Sequence, residues 1–315
     1  MPKPHILQVG AYPAWDQDPL DAAFVMHRYY DAPDKAAFLA NVGAQVRGIA
    51  TRGDLGANAA MIAACPKLEV ISVYGVGYDA VDLAACRARG IRVTNTPDVL
   101  TDDVADLAIG MMLMQSRGLL GAESWARSGD WAAKGQYPLQ RKVSGRRVGI
   151  LGLGRIGLAI ARRCAGFDMQ IAYSSRAPKP EGAAWDYIPD PVALAARSDF
   201  LIVALAATPQ TRHIVSAKVI EALGPDGMLI NISRAPNIDE SALLDALESG
   251  MLGSAALDVF EAEPNLNPRF LALPNVLLQP HHASGTVETR KAMGQLMRSN
   301  LTAHFAGQPL PTPVL

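Results

Sequence analysis

The sequence predicts an α/β protein of two lobes, each built on a parallel sheet, with a cleft between them. Three observations lead there. The chain has 315 residues, more than one hydrophobic core usually organises. Short apolar runs of strand length alternate along it with amphipathic stretches, the pattern of β-α-β units. No apolar run approaches the roughly eighteen residues of a membrane helix, so the apolar segments read as buried strands.

Taken in order, strands are expected near residues 5–9, 46–51, 69–74 and 92–94. Residues 101–127 then have helical periodicity. This stretch opens on Thr101, Asp102 and Asp103, which suit a helix start because they accept bonds from free amides and favour the dipole. Pro97 stands just before it. A second series of strands follows near 147–151, 170–174, 200–205, 228–232, 255–259 and 276–278. A crossing between lobes near 96–101 and a return near 281–285 would put the last helix, Val287–Phe305, back on the first lobe. The expected division is residues 1–98 completed by 286–315, with 99–285 as the second lobe.

Composition excludes several classes of function. Half of the residues are apolar and 19% are charged, an ordinary globular balance. Lys and Arg total 29 against 30 Asp and Glu, so no basic field attracts nucleic acid or an anionic membrane. A small molecule is the expected partner. Cys65, Cys86 and Cys164 have neither paired nor metal-type spacing, and they read as reduced thiols of a cytoplasmic protein with no metal site. The apolar stretch after Met-Pro-Lys-Pro is too short for a signal peptide.

The strongest motif is Val148-Gly-Ile-Leu-Gly152-Leu153-Gly154-Arg155-Ile156-Gly157, which follows a strand and opens a helical run. Such glycines permit a tight turn, a close approach of pyrophosphate to the backbone, and close packing of helix on strand. Phosphates would sit on free amides at the helix start. A dinucleotide-binding, Rossmann-like lobe is therefore expected, with a flavodoxin-like partner. NAD sites usually carry an acid about twenty residues on, where it binds the ribose hydroxyls. Here the strand ending at Ser174 runs into Ser175 and Arg176, and Asp168 precedes the strand. Hydroxyls and a guanidinium suit a 2′-phosphate, so NADP is preferred over NAD. The alternative is that Arg176 is a solvated loop residue and both cofactors are accepted.

Three later segments place polar residues at successive strand ends, where open α/β sheets bind ligands. They are Asn231-Ile232-Ser233-Arg234, the stretch from Asp258 to Glu263 and Pro264, and Gln279-Pro-His281-His282-Ala-Ser284. With the segments 74–79 and 95–108 and the stretch 280–290, these motifs occur in the order seen in the D-isomer-specific 2-hydroxyacid dehydrogenases. The chain resembles that family over nearly its whole length, and within it the NADPH-dependent hydroxyphenylpyruvate, hydroxypyruvate and glyoxylate reductases.

The resemblance implies that Arg234, Glu263 and His281 match the catalytic arginine, glutamate and histidine. It implies a homodimer and reduction of small 2-keto acids such as glyoxylate and hydroxypyruvate to D-2-hydroxy acids. In that chemistry a protonated His281 gives a proton to the keto oxygen, Glu263 holds the ring, and Arg234 grips carboxylate and carbonyl. The amides of Val76 and Gly77 are candidates for the other side of the carboxylate, beside Tyr74. Asp258 matches a position facing the nicotinamide carboxamide, and Ser284 one that contacts substrate. Thr208, Ile232 and Ser233 complete the expected cofactor set. Trp131 would close the partner subunit's substrate site, or else serve as an interface anchor.

Two departures stand out: Ala235-Pro236 follows Arg234 where the family commonly has glycine, and His282 stands where an aliphatic residue is usual. Two other readings remain. One is an NAD-linked relative acting on phosphoglycerate, formate or hydroxyphenylpyruvate. The other is a dinucleotide-sensing corepressor that binds protein partners.

Overall fold

The computed structural model describes residues 2–315. By their contacts they form two compact units, one ending at Leu100 and resuming at Ser284–Leu315, the other Thr101–Ala283. Each is an α/β unit on a wholly parallel sheet, as the alternating pattern predicts.

The first unit has strands β1 (His5–Gln8), β2 (Val25–Arg28), β3 (Val46–Arg52), β4 (Val70–Tyr74) and β5 (Arg92–Thr94), in the order β2-β1-β3-β4-β5. Leu7, Ile49, Ile71 and Val73 are fully buried, because helices cover both faces of a parallel sheet and its inner strands then read as continuous apolar runs. Helix Val287–Phe305 packs on β4. Its Met293, Met297 and Leu301 recur every fourth residue and are buried as one stripe, while Thr286 caps its start by accepting from the Thr289 amide at 3.2 Å. Strand β2 carries no apolar alternation and was not expected. It is a partly exposed edge held by backbone pairing to β1.

The second unit has β6 (Arg147–Leu151), β7 (Gln170–Ser174), β8 (Asp186–Tyr187), β9 (Phe200–Val203), β10 (Met228–Asn231), β11 (Ser254–Leu257) and β12 (Val276–Leu278). Their order is β12-β11-β10-β9-β6-β7-β8. The direction of winding therefore reverses between β6 and β9, and the carboxyl ends of those strands are where such sheets bind nucleotides. At the opposite ends, Asp199 accepts from the Arg147 amide at 2.9 Å and its guanidinium at 2.9 and 3.2 Å. That arginine holds the Asp199 carboxyl below the usual carboxylate range.

The single helix expected over 101–127 is two. Thr101–Ser116 ends, Gly118 takes a left-handed conformation with φ 57°, and Leu119–Arg127 follows. The Ser116 carbonyl is taken by the Arg141 amide at 3.0 Å, and a Cβ at Gly118 would stand 2.8 Å from Gln140 Oε1. The returning segment therefore occupies the space a continuing helix would need. Strands β9, β10 and β11 also stop one or two residues short of their expected ends, where the chain turns into the loops described next. Among the described residues, no helix is long and apolar enough to cross a membrane. Cys65, Cys86 and Cys164 are free and buried.

Candidate active site

The carboxyl edge of the second sheet holds most of the residues singled out above. At the end of β6, Gly152 has φ 100°, and a Cβ there would lie 2.8–2.9 Å from Leu205 atoms, so neither backbone nor space admits a side chain. A Cβ on Gly157 would lie 2.0 Å from the Gly152 carbonyl, which shows how closely helix Arg155–Ala165 approaches the turn. Gly154 differs, because nothing lies within 4 Å of its Cβ position. That open ground borders the helix start, where the amides of Arg155, Ile156 and Gly157 have no intrahelical acceptor. A pyrophosphate fits this cradle.

At the end of β7, Ser174 is buried and donates to the Pro189 carbonyl at 3.0 Å, while Ser175 donates to the Ala177 carbonyl at 2.6 Å. Tyr187 and Tyr173 fasten this loop by bonds to the Ser175 carbonyl and the Lys179 amide, at 3.1 and 2.9 Å. Arg176 is exposed on it, with no carboxylate in the strand-end position. Thr208 lies in the loop after β9, where its amide donates to Thr211 Oγ1 at 2.8 Å.

The arginine loop after β10 is tied by Asn231 and Ser233 of the segment singled out above and by Asn237, which the sequence reading passed over. Asn231 Oδ1 accepts from the Ser233 amide and hydroxyl at 3.0 and 2.8 Å, and its Nδ2 donates to the Arg234 carbonyl at 3.1 Å. Asn237, fully buried, donates to Ser233 Oγ and the Leu205 carbonyl, both at 3.1 Å. Asn237 thereby joins this loop to the residue that bounds the glycine turn. The Ala235-Pro236 departure is accommodated as a short 3₁₀ turn, Ala235–Asn237. Ile232 and Ser233 are buried, and Arg234 is half-buried.

Beyond β11 and β12 the charged residues converge. His281 Nδ1 and Glu263 Oε2 are 2.6 Å apart, and Glu263 Oε1 accepts from the Phe260 amide at 2.9 Å. Burial pushes the Glu263 carboxyl up, but the His281 ring, the Phe260 amide and the nearby charge of Arg234 outweigh it and hold it below the usual range. The ring paired with a carboxylate is thus His281. His282 instead meets Gln279 Oε1 at 2.8 Å. Asp258 is 1% exposed, and its two oxygens take the amides of His282 and Ala283 at 2.9 and 3.0 Å. Burial nevertheless leaves its carboxyl above the usual aspartate range. Whatever else Asp258 meets, it fixes the backbone that carries His281.

Tyr74, Val76, Gly77 and Ser284 belong to the first unit. The turn after β4 is pinned where Asn95 donates to the Val76 carbonyl at 2.8 Å and the Gly75 amide donates to Thr96 Oγ1 at 3.0 Å. Among the described residues the amides of Val76 and Gly77 have no acceptor. Tyr74 is buried, and its hydroxyl donates to the Arg290 carbonyl at 2.7 Å, so its phenol is committed to the packing of this unit. Ser284 is half-buried at the start of the returning segment. Trp131, in the second unit, is 66% exposed beside a surface groove of ≈ 330 Å³ that Trp125 and Tyr137 also line.

Comparison with known proteins identifies the family. The family profile of the D-isomer specific 2-hydroxyacid dehydrogenase NAD binding domain matches residues 109–283. The hydroxyphenylpyruvate reductase of Plectranthus scutellarioides is 50% identical over 296 residues, 94% of each chain. The crystal structure of a 2-hydroxyacid dehydrogenase from Ketogulonicigenium vulgare is 71% identical and covers 100% of this chain and 99% of that one, with TM-score 0.94. An NADPH-dependent glyoxylate/hydroxypyruvate reductase from Sinorhizobium meliloti, solved with NADP and malonate, is 44% identical over 99% of this chain and 97% of that one, with TM-score 0.93. With its two parallel-sheet units, its glycine turn and its carboxylate-bound histidine, the chain belongs to the D-isomer-specific 2-hydroxyacid dehydrogenases and is an oxidoreductase.

Proposed function

We propose that this oxidoreductase reduces small 2-keto acids, glyoxylate and hydroxypyruvate among them, to D-2-hydroxy acids, and prefers NADPH to NADH. The observation that carries the reading is the His281–Glu263 pair, 2.6 Å apart, with the charge of Arg234 beside it. The amides of Arg155, Ile156 and Gly157 would hold the pyrophosphate, and Ser174, Ser175 and Arg176 the adenosine side. When bound, NADPH supplies the hydride that the keto carbon accepts. Arg234 grips the substrate carboxylate and draws charge onto the carbonyl oxygen. Because Nδ1 of His281 faces Glu263, the ring gives its proton from Nε2 to that oxygen as negative charge develops there. Glu263, its carboxyl held below the usual range, meets Nδ1 of the ring and holds its orientation. The unpaired amides of Val76 and Gly77 are candidates for binding the substrate carboxylate.

The cofactor preference rests on Arg176 and Ser175 standing where an acid would repel a 2′-phosphate. The relative solved with NADP supports it. We further assign residues 1–98 with 286–315 as the substrate domain, 99–285 as the dinucleotide domain, and the assembly as a homodimer. The dimer is supported by the exposed apolar side chains Leu119, Leu120, Trp131 and Leu139, which are 46, 61, 66 and 98% exposed within one segment. The likeness to a hydroxyphenylpyruvate reductase favours a second reading in which aromatic keto acids are the preferred substrates. The test is NADPH and NADH absorbance with glyoxylate, hydroxypyruvate and hydroxyphenylpyruvate, repeated with Arg176→Ala. The expected result is faster reduction of the two small acids with NADPH, and an Arg176→Ala variant whose KM rises for NADPH far more than for NADH. No oxidation of either cofactor would refute the activity, and equal losses with both would refute the role of Arg176.

A further inference from the structure

In the first unit, the carboxyl ends of β1, β3 and β4 bring together polar groups that the reaction above does not use. The loop after β3 lies between the other two. A Cβ on Gly10 would stand 2.8 Å from Leu55 Cδ1 and 3.0 Å from Arg52 Cδ, and one on Gly75 would stand 3.5 Å from the Gly53 amide nitrogen. The residues Arg52 to Leu55 therefore adjoin the turn whose Val76 and Gly77 amides are assigned to the substrate carboxylate.

Arg52 Nε and Nη2 donate to the two oxygens of Asp54 at 3.1 and 2.7 Å, and the side chains remain 46 and 34% exposed. Two of the guanidinium's five N–H groups are used, so donors remain beside carboxylate oxygens that still accept. Tyr12 lies nearby, 9% exposed, with its ring 5.4 Å from that of Tyr74. The Tyr12 hydroxyl is buried without any hydrogen-bond partner. Burial keeps it protonated, and it feels the charges of Arg52, Asp16 and Asp54. A buried hydroxyl without a partner calls for a reason, and a nearby ligand group that pairs with it supplies one.

The chemistry of these groups selects the ligand. Asp54 neutralises Arg52 and would repel a second carboxylate. An apolar or aromatic tail would desolvate the pair without returning hydrogen bonds. A hydroxyl both donates and accepts, and so matches a donor and an acceptor set side by side. We propose that Arg52, Asp54 and Tyr12 form a subsite that reads hydroxyl groups on C3 and beyond, making hydroxylated 2-keto acids, from hydroxypyruvate to 2-keto sugar acids, the preferred substrates. This rests on the keto-acid reductase reading and names the substrate class within it.

The test compares kcat/KM with NADPH for hydroxypyruvate and pyruvate, which differ by one hydroxyl, and for 2-keto-D-gluconate and 2-ketoglutarate. Wild type, Arg52→Met and Tyr12→Phe are assayed on each. A site built to bind a hydroxyl discriminates strongly against its absence. Wild type should prefer hydroxypyruvate to pyruvate by about tenfold or more, and 2-keto-D-gluconate to the dicarboxylate. Arg52→Met should lower the hydroxypyruvate-to-pyruvate ratio by about tenfold, chiefly through KM, as loss of a charge-assisted bond does. Tyr12→Phe should lower it severalfold. That variant removes only an unpartnered hydroxyl and keeps the ring, so it decides the matter even if Arg52→Met does not fold. Ratios that stay unchanged in the variants, or a wild-type ratio near one, overturn the subsite while leaving the reductase reading intact. A wild type that reduces none of these acids removes the parent reading and the subsite with it.

Discussion

His281 sits at φ 50°, a left-handed conformation that residues other than glycine seldom adopt. The Asp258 carboxylate holds the two amides that follow it. Two supports thus fix the ring, one through the backbone and one through Glu263. If the ring is the proton donor, His281→Ala should lower kcat by about 10²–10⁴ while NADPH still binds, measured by quenching of protein fluorescence. His282→Ala should keep most of the activity. Glu263→Gln removes the carboxylate that holds Nδ1 of the ring, so kcat should fall while the KM for NADPH stays near that of wild type; an unchanged kcat would leave Glu263 a packing residue. Arg234, Glu263 and His281 drew notice because polar residues in the loops beyond apolar strands are hard to explain by packing, and the family resemblance suggested their roles; the structure pairs Glu263 with His281. Asn237 did not draw notice, because its partners, Ser233 Oγ and the Leu205 carbonyl, are set by the fold and leave no local pattern.

Secondary structure follows the same division between local and non-local causes. Strands β5, β6, β7 and β12 match their sequence expectations because apolar runs bounded by turns fix them. Strands β2 and β8 escaped notice. Each is a short edge with exposed or half-exposed side chains, so backbone pairing alone defines it. The break at Gly118 escaped for a related reason, since the obstacle is a segment some twenty residues later, Tyr137 and Gln140. Two elements make testable statements about the nucleotide edge and the far edge of the second sheet. In Gly157→Ala a methyl group would meet the Gly152 carbonyl, and such overpacking costs about 1–3 kcal/mol. Its melting temperature and NADPH affinity should both fall. At the other edge, Asp199 has a depressed folded pKa, so its contribution to stability is present above the ordinary aspartate range and is lost as pH falls through the folded value. Asp199→Asn should therefore lower stability at neutral pH and show a shallower acid limb in urea melts between pH 2 and about 5.

For the molecule as a whole, the apolar segment around Trp131 gives the homodimer proposal its sharpest consequence. Trp131→Ala should remain dimeric by light scattering, with Leu119, Leu120 and Leu139 still present, yet change the ratio of kcat/KM between glyoxylate and bulkier keto acids. Dissociation into monomers, or an equal loss on every substrate, would make Trp131 an interface anchor only. The two-unit α/β architecture was legible because alternating apolar runs record it directly, and the unit boundary at Leu100 follows Pro97 closely. The discontinuity of the first unit bears on how the protein is made. Its β4 rests on helix Val287–Phe305, and the Ser72 hydroxyl bonds the Met297 carbonyl 225 positions later. A ribosome delivers the NAD-binding unit as one uninterrupted stretch, whereas the first hundred residues emerge without their covering helix. Their sheet must wait, with β4 unshielded, until the last thirty or so residues arrive. The expected folding order of these two units is therefore the reverse of their order of synthesis. Nascent chains stalled after residue 283 should resist protease over 101–283 while remaining cleavable before residue 100, and release of the full chain should end that sensitivity.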